Sequence, residues 1–236
     1  MLYLLPNLLA DLESHTSQLP SSVDEAVATL THLIAENEKE GRHFLKRFAY
    51  PTPKTFREIS IHLLNEHSTL EQKKELIAEV KKGGVWGLIS DCGMPCLADP
   101  GADLVLMARD RGIPVKTFPG PSSPLLALVL SGLGGQRFTF HGYLPKDELP
   151  LVAELKRIEK LSKQEQSTHL FIETPYKNQR LFDKMLQTLD DETFLCLACD
   201  LTLPEQFVTT KRIKQWKLQP VKEFNKRPCI FLIRAQ

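Results

Sequence analysis

Long apolar runs are missing from this chain. No stretch approaches the roughly 20 consecutive apolar residues of a membrane helix. The opening Met1-Leu2-Tyr3-Leu4-Leu5 is cut by Pro6-Asn7 and has no basic residues before it, which argues against a signal peptide. A dominant charge is also missing. The 30 Lys and Arg against 29 Asp and Glu leave a net charge of +1. Any contact with nucleic acid must therefore come from a local patch. Cysteine is sparse, with five scattered residues in 236. A chain of this size has no need of disulfide staples, so all five are expected to be packed thiols. Cys196 and Cys199 have the spacing of a metal pair, but they fall in a predicted strand, where residues three apart point to opposite faces. No other Cys or His cluster completes a zinc site, and no metal is expected. These absences point to a cytoplasmic globular protein. No internal repeat or low-complexity segment is present.

Short apolar runs alternate with amphipathic stretches along the whole chain. Strands are predicted over residues 2–5, 31–36, 58–63, 85–89 and 113–118. Helices are predicted over residues 23–29, 38–48, Leu70–Lys82 and 102–111; Asn37 suits the cap of the second, and Gly83-Gly84 closes the third. The breaker Pro119-Gly120-Pro121-Ser122-Ser123-Pro124 separates this set from a second one. There, helices are predicted over 125–133, 149–161 and 179–189, and strands over 138–141, 168–173, Phe194–Cys199 and Cys229–Arg234. The expectation is two α/β domains, residues 1–118 and 125–236, joined by a hinge at 119–124, each with a mainly parallel sheet.

One loop stands out. Behind the apolar run Val85-Trp86-Gly87-Leu88-Ile89 comes Ser90-Asp91-Cys92-Gly93-Met94-Pro95-Cys96-Leu97-Ala98-Asp99-Pro100-Gly101, and then a predicted helix. Open α/β sheets bind ligands outside the carboxyl ends of their strands, where this loop falls. Glycine allows close backbone approach, and the carboxylates accept hydrogen bonds from hydroxyl or amino groups. The plainer alternative is a strand–helix connection in which Asp99 caps the helix.

Four blocks then occur in order: Ser90 to Gly101, Pro119-Gly120-Pro121-Ser122-Ser123, His141-Gly142-Tyr143-Leu144-Pro145, and Glu173-Thr174-Pro175-Tyr176. Together they resemble the tetrapyrrole methylase superfamily of S-adenosylmethionine-dependent methyltransferases. Within it they are similar to the branch that methylates a ribose 2′-hydroxyl of small-subunit ribosomal RNA. The resemblance implies the class III methyltransferase fold, two α/β domains with the methyl donor in a cleft between them, and commonly a homodimer. It implies donor contacts at Leu5, Pro6, Asp91, Gly93, Met94, Pro95, Ser122, Ser123, Ile172, Glu173, Asp200, Leu201, Pro228 and Cys229. A ribose hydroxyl is a poor nucleophile, and Asp99, His141 and Glu173 are the candidate general bases. Each has a plain alternative: a helix cap, a satisfied strand histidine, and a carboxylate bonded to its own backbone.

The chain departs from the family pattern in three places. The first loop, Leu5-Pro6-Asn7-Leu8-Leu9-Ala10-Asp11, lacks the usual glycine. Asn37 replaces an aspartate, and Ala198-Cys199-Asp200-Leu201-Thr202-Leu203 lacks two basic residues of the family's segment. Basic residues remain at Lys39, Arg42, Lys46 and Arg47 on one predicted helix, and at Lys211, Arg212, Lys214 and Lys217 near Trp216. For the latter group a solvated surface helix competes with a nucleic-acid patch. The departures bear on the acceptor more than on the donor. Methylation of a tetrapyrrole or another small molecule, or a non-catalytic member binding donor or RNA, therefore remain alternatives.

Overall fold

The structure, a computed structural model, describes residues 1–12, 14–219 and 223–236. The chain forms two compact units, Met1–Ser122 and Ser123–Gln236. The division falls inside the proline-rich run singled out in the sequence.

The first unit is built on five short strands: β1 (Leu2–Leu4), β2 (His32–Ala35), β3 (Ser60–Leu63), β4 (Trp86–Leu88) and β5 (Val115–Thr117). All pairings are parallel, in the order β3-β2-β4-β1-β5. Four helices cover it: α1 (Ser21–Thr29), α2 (Glu38–Lys46), α3 (Leu70–Lys82) and α4 (Ala102–Asp110). Helices α1 and α2 pack Val23, Val27, Phe44 and Leu45 against Leu5 and Leu33 on one face. Helices α3 and α4 pack Ile77, Val80, Leu104 and Ala108 against Leu2, Ile34 and Leu88 on the other. Adjacent residues of one strand thus serve opposite cores, which is why these strands read as unbroken apolar runs. Asn37 caps α2 by accepting the Glu40 N–H at 2.8 Å, and Thr69 and Gln72 form a reciprocal capping box on α3.

In the second unit β6 (Phe138–Tyr143), β7 (Thr168–Ile172), β8 (Phe194–Cys199), β9 (Phe207–Arg212) and β10 (Cys229–Arg234) lie in the order β6-β7-β10-β8-β9. Here the mainly parallel expectation needs correcting. Only β6–β7 is parallel, while β7–β10, β10–β8 and β8–β9 are antiparallel. The reason is β9, a strand missed in the sequence. Its residues Thr209, Thr210, Lys211 and Arg212 are too polar to read as core, and it pairs back on β8 as an edge strand. Helix α5 (Ser123–Ser131) covers one face of the sheet, and α6 (Glu148–Glu165), α7 (Asn178–Thr188) and α8 (Ile213–Leu218) cover the other. Among the described residues no helix is long and apolar enough to cross a membrane.

The cysteine expectation is also corrected in part. Cys196 is a buried free thiol in the core beneath α5. Cys199 faces the opposite core, stands directly across from Cys229 in the β8–β10 ladder, and is bonded to it as a disulfide. Two strands remote in sequence put these side chains in register, a pairing that spacing within one strand cannot reveal. Thiol titration of the unfolded, unreduced protein is expected to find three thiols, those of Cys92, Cys96 and Cys196, rather than five. Reduction is expected to lower stability by about 3–4 kcal/mol in denaturant melts, the chain-entropy value for a loop of this size.

Candidate functional site

Strands β1 and β4 are neighbours, yet the helices that follow them, α1 and α4, lie on opposite faces of the sheet. Their carboxyl ends therefore flank the crevice where doubly wound sheets take ligands. Asn7, only 4% exposed, ties the two loops together. Its Nδ2 donates to the carbonyls of Ser90 (3.1 Å) and Asp91 (2.8 Å), and its backbone N–H donates to Gly93 O at 2.8 Å. Its Oδ1 accepts from Leu8 N–H (2.9 Å) and from Arg47 Nη1 (2.7 Å). Asn7 was not singled out in the sequence, although an amide directly after a buried strand and a proline was the available signal. The missing first-loop glycine is explained nearby. A Cβ on Gly120 would stand 2.0 Å from Pro6 Cβ, so the glycine that permits close approach lies in the partner loop.

The loop after β4 is unusual in its backbone. Gly93 has φ +72°, and Cys96 (+67°) and Ala98 (+69°) also occupy the left-handed region, which non-glycine residues rarely adopt. Such conformations persist where surrounding structure enforces them. The cap of α4 is Gly101, with no side-chain bond, so Asp99 is not a helix cap. Asp99 is half-buried, and burial pushes its pKa up, with the charge of Asp91 adding to the rise. Burial also raises Glu36, reinforced by Asp91, Asp99 and Glu66; partial burial and Glu40 raise Asp91. Asn37 Nδ2 points to Asp91 Oδ1 at 3.4 Å. An aspartate at this position would add another negative charge to a group already resisting ionisation.

The first unit thus brings together Leu5, Pro6, Asp91, Gly93, Met94, Pro95 and Asp99, with Ser122 ending the run that begins beside Pro6. Pro95 is buried and Met94 half-buried. Ser122 is 6% exposed, and its hydroxyl has no hydrogen-bond partner.

In the second unit, Ile172, Asp200, Pro228 and Cys229 share one end of the sheet: Ile172 pairs with Ile230, Cys229 with Cys199, and Asp200 N–H donates to Pro228 O at 3.0 Å. Leu201 is buried beneath α5, and Ser123 begins that helix. The Asp200 carboxylate is held by the Arg227 guanidinium. Thr202, in the same loop, has φ +76° and a buried hydroxyl without a partner. Glu173 Oε1 accepts from the N–H (2.6 Å) and hydroxyl (3.0 Å) of Thr174, its own neighbour. His141 Nε2 lies 2.8 Å from His169 Nδ1, whose other nitrogen meets Ser167 Oγ at 2.9 Å. Burial lowers the pKa of both rings, His169 to about 4, with His141 adding to the lowering of His169. His141 and Glu173 thus make the local bonds of their plainer alternatives. Among the described residues, no group of three or more His, Cys, Asp or Glu side chains is arranged to hold a metal.

The basic residues sort themselves too. Arg212 and Lys214 pair with Glu192, and Lys217 pairs with Asp191 at 2.6 Å. That cluster is an ion-paired surface. On α2, Arg42 Nη1 donates to the carbonyls of Phe56 (3.3 Å) and Ile59 (3.0 Å), and Lys46 lies over the Phe56 ring. Lys39, His43 and Arg47, four residues apart, instead line a pocket of about 400 Å³ with Leu8, Asp11, Asp91 and Cys92.

The family model for tetrapyrrole (corrin/porphyrin) methylases matches residues 18–216. The chain belongs to the tetrapyrrole methylase family. Among its relatives, ribosomal RNA small subunit methyltransferase I of Haemophilus influenzae is 27% identical over 228 residues, 93% of this chain and 73% of that protein. The protein of that name from Streptococcus pyogenes is 33% identical over 193 residues, 80% of this chain and 61% of that protein, so the chain spans less than two thirds of this relative. Solved structures share the fold at low identity. The methyltransferase CobJ has a TM-score of 0.64 at 15% identity, covering 99% of this chain and 93% of that one. Uroporphyrin-III C-methyl transferase from Thermus thermophilus, complexed with S-adenosyl homocysteine, has 0.56 at 13%, covering 99% and 96%.

Two outcomes are expected for this chain. Asn7→Ala removes the amide donor from the Ser90 and Asp91 carbonyls and the acceptor of Arg47 Nη1, and is expected to cost about 2–3 kcal/mol in urea unfolding. Glu36→Gln keeps an oxygen to accept the Asp91 N–H (3.3 Å) but removes the charge. A carboxyl whose folded pKa is raised stabilises the fold while protonated and loses that contribution as pH rises through the raised value. Glu36→Gln should therefore raise the melting temperature at neutral pH, and the gain should vanish below the ordinary carboxylate range.

Proposed function

We propose that this protein is an S-adenosylmethionine-dependent methyltransferase acting on a ribose 2′-hydroxyl of small-subunit ribosomal RNA. The observation that carries this reading is the crevice-side meeting of the β1 and β4 loops in a chain of this family. The name that its relatives carry supplies the acceptor class.

The residues present suit the donor. The hydroxyls of Ser122 and Thr202 are buried without partners in two of the loops where the family resemblance puts donor contacts, and buried hydroxyls are normally satisfied. In the first domain the donor-holding residues are Leu5, Pro6, Asp91, Gly93, Met94, Pro95 and Ser122. Glycine and proline backbone there can meet the adenine edge, and the Asp91 carboxylate suits an ammonium or a ribose diol. In the second domain they are Ser123, Ile172, Glu173, Asp200, Leu201, Pro228 and Cys229. S-adenosylmethionine supplies an activated methyl group, so the protein's task is alignment and exclusion of water. Asp99 is the general base of this proposal: half-buried, in the strained loop, and not used as a cap. Its carboxylate takes the proton of the attacking hydroxyl. A homodimer completes the reading, supported by the apolar exposure of Leu125, Val129 and Leu130 on α5; light scattering checks it.

Labelled methyl transfer to small-subunit RNA lacking the modification tests the function. Incorporation at a ribose is expected, and transfer to a tetrapyrrole but not to RNA would overturn it. Asp99→Asn should lower kcat by about 100-fold or more with little change in donor affinity by calorimetry. Because the base must be ionised and burial raises its pKa, the wild-type rate should climb with pH over a limb displaced above the ordinary carboxylate range. The variant's residual rate should lack that limb.

A further inference from the structure

The pocket lined by Lys39, His43 and Arg47 shares Asp91 with the donor loop and otherwise lies outside the donor reading; its acidic lining is Asp11, Glu40 and Asp91. Its volume of about 400 Å³ lies within the range of small-ligand pockets. Lys39 and His43 of α2 and Arg47, the residue that caps its C-terminal end, follow at four-residue steps and share one face. Arg47 is the anchor. Its side chain is 16% exposed, Nη1 is fixed on Asn7 Oδ1 at 2.7 Å, and Nη2 meets Asp11 Oδ1 at 3.7 Å. The anion now nearest is Asp11. A single oxygen, Oδ1, lies 3.7 Å from Arg47 Nη2 and 3.2 Å from His43 Nε2, on a side chain 79% exposed. So exposed and loosely placed a pair contributes little, and an anion with several acceptor oxygens displaces it at small cost. Lys39, 91% exposed, has only a 3.9 Å approach to Glu40 to hold it back.

We infer that this pocket is a phosphodiester subsite, taking a backbone phosphate of the RNA strand beside the methyl-accepting nucleotide, with Asp11 holding its place in the free protein. The inference rests on the RNA reading above and adds where the strand is gripped. Arginine's planar fork matches phosphate oxygens, and Leu8, Leu9 and Ala10 complete the pocket lining. Phosphate contacts position a strand without reading its sequence, so the subsite sets register at the donor loop.

The test is fluorescence anisotropy of a short single-stranded RNA copied from the small-subunit acceptor region, followed over a salt series, with donor affinity measured in parallel by calorimetry. Lys39→Gln combined with His43→Gln is expected to weaken RNA binding about tenfold at low salt and to flatten the log–log salt slope by about 0.7 per lost phosphate contact. Asp11→Asn is expected to tighten RNA binding about threefold or more, because the resident counter-ion is gone. Donor affinity should hold in both. A structural role for Asp11 predicts the opposite sign, weaker binding of RNA and donor together. If wild type binds RNA and both variants match it, or if Asp11→Asn binds RNA more weakly, the subsite is overturned while the RNA reading stands. If wild type binds donor but no RNA at any salt, the RNA reading itself falls, and the subsite with it. Displacement of the RNA probe from wild type, but not from the Lys39/His43 variant, by a polycarboxylated tetrapyrrole would assign the pocket to that ligand class and overturn the phosphate assignment.

Discussion

The buried amide of Asn7 is the interaction on which the rest of the first domain's site depends. Five hydrogen bonds from one residue join the loop after β1 to the loop after β4 and fix the guanidinium of Arg47. An amide suits this position because two carbonyls need donors, while a backbone N–H and a guanidinium need an acceptor. A carboxylate, all acceptor, would face the Ser90 and Asp91 carbonyls with nothing to give. A fully satisfied network of this kind is rigid, and rigidity lets the following residues hold left-handed conformations at Cys96 and Ala98.

Charge shapes the same crevice. Burial raises Glu36, Asp91 and Asp99, with the Asp91 charge adding to the rise of the other two and Glu40 adding to that of Asp91, and Asn37 contributes a neutral donor where the family pattern has an aspartate. The substitution is therefore compatible with a working site, since the position serves as helix cap and hydrogen-bond donor. The basic residues lie on the other side of Asp91, where Asp11 and Asn7 orient them.

The second domain solves a different problem. Its sheet is closed by a returning antiparallel strand, β10, which lies between β7 and β8 and carries the apolar run Cys229–Arg234 through the centre of the core. Pairing β10 with β8 sets Cys199 against Cys229 and brings Pro228 to Asp200, so one register fixes both the disulfide and the geometry of that loop. Arg227 holds the Asp200 carboxylate beside it.

Much of this was written in the order of residues. The two α/β domains, the break in the proline run, the helix over Leu70–Lys82 and the strands Phe194–Cys199 and Cys229–Arg234 follow from apolar periodicity and breakers, which are local signals. The family followed from four short blocks in register, and with it the loops to inspect. Tertiary structure decided what local pattern does not encode. Strand direction in the second sheet depends on which strands meet, and polar β9 gave no apolar signal. The disulfide needed two strands 30 residues apart in sequence to lie in register. Of the four basic residues noted on the predicted helix over 38–48, folding turned Lys39 and Arg47 toward the pocket and spent Arg42 and Lys46 on Phe56 and its neighbours. The part played by Asn7 emerged only when the ends of β1 and β4, more than 80 residues apart, were brought side by side. Sequence determines which side chains are available; only the packed chain determines which of them meet.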